Sequence, residues 1–86
     1  MREDGMIIKL NSIEKVKEFL AIVEMTESEI DLRQHRYIVD AKSVLGIFSF
    51  DLNIPILLQF HNRNSEEIAE LTEKFGKFVV DEPLQF

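Results

Sequence analysis

"DAKSVLGIFSFDLNIPILLQF", residues Asp40 to Phe60, is the stretch on which the fold of this chain turns. Ser43 stands ahead of a compact apolar run, Val44 to Phe48, interrupted by Gly46. A hydroxyl in that position marks a helix start, because its oxygen accepts an N–H that the first turn leaves without a partner. A short helix is therefore predicted, capped by Ser43 Oγ at the N–H of Leu45 or Gly46 and ending at Phe48 or Phe50. Asp51-Leu52-Asn53 breaks it. Pro55 lacks a backbone donor and is best tolerated where a strand begins, so a strand is predicted over 55–60.

Upstream, "MIIKL" (Met6–Leu10) is short, apolar and partly β-branched, and reads as a strand. In "NSIEKVKEFLAIVE", Ile13, Val16, Phe19, Leu20 and Val23 recur at helical spacing, and Asn11 with Glu14 three residues on fits a capping box. "EIDLRQHRYIVDA" alternates apolar with polar residues and predicts a hairpin turning near Gln34-His35. Downstream, "HNRNS" reads as a polar loop, and Asn64 with Glu67 repeats the capping signal. Ile68, Leu71, Phe75 and Phe78 share one face of a last helix that Gly76 weakens near its end. Residues 79–86 receive no assignment.

The resulting order, β-α-β-β-α-β-α, predicts an α+β domain. Four antiparallel strands near 6–10, 29–34, 37–41 and 55–60 form one sheet, with three helices on one face. A single domain over residues 1–86 is expected, with its core at about 6–78 and a C-terminal tail at 79–86. The competing layout is a ferredoxin-like βαββαβ domain. It needs a second helix as long as the first and leaves the last helix as an addition.

Composition narrows the function. The 86 residues carry 16 acidic against 10 basic side chains, a formal charge of −6, so a nucleic-acid surface built on phosphate contacts is disfavoured. With no cysteine there is no thiolate nucleophile and no cysteine-based zinc site, which is compatible with a cytoplasmic protein. The start "MREDGMIIKLNS" places acids before any apolar run and does not read as a signal peptide. Apolar runs are only a few residues long, so no membrane span is expected. His35 and His61, without a spaced third ligand, make no metal site, and the aspartates lack calcium-loop spacing. Phosphate-binding and nucleophile motifs are absent from the sequence, and no cofactor is expected.

The element order, together with "AKSVLGIFSFDL", resembles the HPr family of the bacterial phosphoenolpyruvate-dependent sugar phosphotransferase system. Lys42-Ser43-x-x-Gly46-x-x-Ser49 followed by Phe50 is similar to that family's regulatory-serine segment. The resemblance implies an open-faced sandwich, four antiparallel strands with three helices on one side. It implies that Ser43 is a regulatory phosphorylation site. It also implies that Val44, Leu45 and Phe48 form an exposed docking patch while Ile47 and Phe50 pack under the sheet.

The family's phosphocarriers open their first helix with a Gly-[Ile/Leu]-His-x-Arg-Pro phrase. Here the corresponding stretch is "NSIEKVKEF", with Glu14 near the histidine's place. A phosphoryl-transfer histidine is therefore missing, and a lone glutamate without a positioned metal or acid is a poor substitute. The resemblance thus implies a non-enzymatic, cytoplasmic regulatory module whose partner is a kinase, enzyme or transcriptional regulator linked to that system. A carrier using a residue other than histidine, and a ferredoxin-like small-molecule-binding domain, are the alternatives. The plain structural reading of the same residues is that Ser43 is only a helix cap, contributing about 1 kcal/mol, and that the apolar run is core.

Overall fold

The computed structural model describes residues 5–61 and 65–84, with the side chains of Val44 and Ser65 outside that description. β1 (Gly5–Ile8) leads into α1 (Ile13–Glu24), then the hairpin of β2 (Ile30–Gln34) and β3 (Tyr37–Asp40). A single helical turn, α2 (Val44–Ile47), precedes β4 (Ile56–Phe60), and α3 (Ser65–Phe75) runs into a 3-10 turn, Gly76–Phe78. The fold is α+β, a four-stranded antiparallel sheet in the order β1-β4-β2-β3 with three helices. A ferredoxin-like layout is ruled out. There β1 is a central strand between β4 and β3, whereas here β1 is at the sheet edge with β4 between it and β2, and α2 is far shorter than α1.

Register explains the layering. Ile8 faces Ile56, Leu32 faces both Leu58 and Val39, and Ile30 faces Phe60. Strand side chains alternate, so these residues share the face under the helices, while Ile7, Leu57, Arg33 and Ile38 line up on the other face. The helices close the first face with Val16, Phe19 and Val23 of α1, Leu71 and Phe75 of α3, and Phe78. Phe75 is the hub of this core, its ring 5.3 Å from Phe19, 6.2 Å from Phe60 and 6.4 Å from Phe78 between centroids. Offset and tilted ring pairs at these separations add stabilisation beyond the buried area.

Several local readings shift. Ser12, not Asn11, caps α1, its Oγ accepting from Lys15 N at 3.2 Å, while Asn11 Oδ1 takes the Lys15 ammonium instead. Both residues can cap, and the backbone chose the one adjacent to the first helical residue. The expected Asn64 cap lies outside the described residues. α2 stops at Ile47 and continues only as i→i+3 turns, Ser49 N to the Gly46 carbonyl and Phe50 N to the Ile47 carbonyl. The segment at the head of the 79–86 tail has a place after all. Val79 bridges Ile8 along the outer side of β1, with Lys9 N donating to the Phe78 carbonyl and Val80 N to the Ile7 carbonyl. The hairpin turns at His35-Arg36, and His35 takes a left-handed φ of 56°. Among the described residues, no helix is long and apolar enough to cross a membrane.

Candidate functional site

The connection from β3 to β4 is pinned at both ends. At its start, Asp40 Oδ1 accepts from Lys42 N at 2.9 Å and the Asp40 carbonyl accepts from Ser43 N at 2.9 Å, a side-chain-supported turn. Ala41 is fully buried, and its N–H extends the hairpin ladder to the Ile30 carbonyl. Ser43 then caps α2, its Oγ accepting from Gly46 N at 3.3 Å while its carbonyl accepts from Ile47 N at 3.0 Å. At the far end, the buried Gln34 side chain grips the backbone of Asp51.

Gly46 is what lets the turn lie against the sheet. A Cβ at that position would stand 3.2 Å from both Cβ and Cγ1 of Val39 and 3.0 Å from Ser43 Oγ, closer than packed carbons ordinarily come. The requirement is space, since no glycine has positive φ. With α2 seated this way, Ile47 and Phe50 are buried, and Leu45 and Phe48 point outward at 86% and 50% exposure. Ser43 is exposed beside them. The side chain of Val44, the remaining member of the expected patch, lies outside the described residues.

Glu14 sits exposed in the first turn of α1 and has no side-chain hydrogen bond or ion pair among the described residues. A carboxylate there suits the positive end of the helix. The two histidines are elsewhere. His35 occupies the β2–β3 turn, and His61 follows β4 with Nε2 2.6 Å from Asp31 Oδ2. Asp31 belongs to the row of residues on the sheet face away from the core. Among the described residues, no group of three potential metal ligands gathers.

A groove of about 630 Å³ runs along α1 toward the start of α2, lined by Lys17, Leu20, Ala21, Val23, Glu24 and Lys42. Lys17 and Lys42, neither with an ion pair among the described residues, and Glu24 stand over an apolar floor, a lining with one net positive charge in an acidic chain. The sequence carries no local signal for the groove, because Lys17 and Lys42 come to line it only through the fold. The Gly46 contact carried a faint one, a glycine inside a predicted helix, which often marks close packing.

In comparisons with protein-family models, with curated proteins and with solved structures, nothing matches the chain.

Proposed function

We propose that this chain is a protein-binding module of the HPr type that lacks the transferable histidine. It docks a partner through the segment from Ser43 to Phe48, and phosphorylation of Ser43 regulates the docking. The observation that carries the reading is the outward display of Leu45 and Phe48 on a turn whose Ile47 and Phe50 are buried. Exposed aliphatic and aromatic side chains on a rigid support are the usual anchors of a binding surface. Val44, as the third expected docking residue, is part of the same proposal.

Regulation follows from electrostatics. A phosphate on Ser43 would add a charge of about −1.5 to −2 next to the Lys42 ammonium and within the patch a partner must cover. The module needs no cofactor and no catalysis of its own, and its setting in this reading is the bacterial cytoplasm. Its partner is a kinase, enzyme or transcriptional regulator of the sugar phosphotransferase system.

The test is incubation with an HPr-directed kinase and ATP, and separately with Enzyme I and phosphoenolpyruvate, read by mass. Modification of the wild-type chain but not of Ser43→Ala in the first reaction, with no gain in the second, supports the proposal. A phosphoryl group acquired from Enzyme I instead makes the chain a carrier, with Glu14 the first residue to substitute. A small molecule that raises the melting temperature, with neither modification, favours a ligand-binding domain.

A further inference from the structure

The two edges of the sheet are treated differently. Outside β1, the Val79 bridge and its flanking hydrogen bonds cover the edge. Outside β3, no described residue pairs with the strand. This bare edge exposes two large apolar side chains, Tyr37 at 61% and Ile38 at 53%, flanked by the exposed Arg36 and Asp40. An uncovered apolar edge is a template for another strand, and folds usually blunt it.

The hydrogen-bonding groups available there can be assigned. A two-residue connection closes the hairpin between Gln34 and Tyr37, and Ala41 N donates to the Ile30 carbonyl. Tyr37, Val39 and Ala41 therefore direct their backbone groups at β2, and Ile38 directs its N–H and C=O outward. Asp40 also faces outward, but its carbonyl is already taken by Ser43 N at 2.9 Å. Ile38 is the free docking point.

We propose that β3 pairs antiparallel with β3 of a second copy of this chain, in the register that sets Ile38 opposite Ile38 of the partner. The sequence Arg36-Tyr37-Ile38-Val39-Asp40 is complementary to itself in that register. Tyr37 meets Val39 across the two-fold axis, and Arg36 meets Asp40, twice. Neither charge has an ion pair within one chain among the described residues; the carboxylate of Asp40 accepts only the Lys42 N–H there. Asp40 stands opposite Asp31 in the β2–β3 ladder, a like-charge pair, and Arg36 has no carboxylate within ion-pair distance among the described residues. A second copy balances both. The self-paired edge makes one continuous sheet from two, an isologous contact that consumes both open edges and so stops at two copies. Its residues, Arg36 to Asp40, do not overlap the Ser43–Phe48 segment of the docking reading.

Sedimentation velocity of the full chain from about 1 µM to about 1 mM tests it, the range of weak to moderate association. A concentration-dependent rise toward twice the chain mass is expected. Ile38→Lys sets two like charges face to face and should weaken the dimer more than about tenfold with the fold intact. Arg36→Glu should weaken it too, and adding Asp40→Arg should restore it. Because the chain has no cysteine, Ile38→Cys should cross-link to its twin on oxidation, as opposed strand residues sit about 5.5 Å apart between Cα atoms. A monomer at every concentration overturns the proposal. So does a dimer indifferent to Ile38→Lys, one the charge exchange does not restore, or an edge that takes only a foreign strand.

Discussion

The carboxamide of Gln34 makes both of its hydrogen bonds to one residue: Nε2 donates to the Asp51 carbonyl at 2.7 Å, and Oε1 accepts from Asp51 N at 2.8 Å. The side chain imitates a strand partner for a backbone that belongs to no strand. It thereby fixes the exit from the α2 segment to the sheet at β2. Replacing it with leucine keeps the volume but strands a donor and an acceptor. Gln34→Leu is expected to cost about 1–3 kcal/mol in urea unfolding, with faster hydrogen exchange at the Asp51 amide. Unchanged stability would mean that water serves Asp51 equally well.

Gly46→Ala should lift α2 away from β3, because the new methyl lands on Val39. A loss of about 1–3 kcal/mol is expected, as for other overpacked contacts. Val39→Ala in the same chain should recover part of it. A double-mutant cycle that finds the two changes additive would show that they do not meet.

His35 pays for its left-handed backbone in conformational strain, on the order of 1 kcal/mol for a residue other than glycine. His35→Gly should raise the melting temperature by a few degrees, the shift a gain of about 1 kcal/mol brings in a domain this small. His35→Val should lower it, since a branched side chain tolerates that φ poorly. Equal melting of all three would show that the turn relaxes at no cost.

Phe48→Ala and Phe75→Ala remove the same side chain from opposite environments. Phe48 is half exposed on α2, so its loss should change stability by no more than about 0.5 kcal/mol. Phe75 is fully buried among three other rings, and its loss should cost about 3–5 kcal/mol. If the docking proposal holds, only the Phe48 variant weakens partner binding without unfolding, by about 1–3 kcal/mol.

Periodic signals were legible because they are local. The spacing of Val16, Phe19 and Val23 placed α1, and the alternation through Ile30 and Leu32 placed the hairpin to within a residue. Ser43 bonds Gly46 N as a residue-level capping rule says it should. What escaped depends on partners far away in the chain. No pattern within Val79-Val80 says that β1 will receive it, and nothing near Gln34 points to Asp51. Asn11 and Ser12 are both competent caps, and only the path of the chain out of β1 separates them. The apolar run to Phe50 predicts a longer α2 than the observed Val44–Ile47, because the backbone must already turn so that Phe50 can be buried.

The Ile8–Val79 bridge also bears on how the chain reaches its fold. β1 is synthesised before both of its neighbours, β4 and the Val79 segment, which come from the second half of the sequence. Until most of the chain has left the ribosome, Met6, Ile7 and Ile8 form an unclaimed apolar segment, the kind that chaperones bind and that aggregates when crowded. The β2–β3 hairpin, by contrast, closes from neighbouring residues within microseconds. Folding should therefore start from the hairpin and finish with β1 sliding in beside β4, so that a strand made before its partners is the last to become secure.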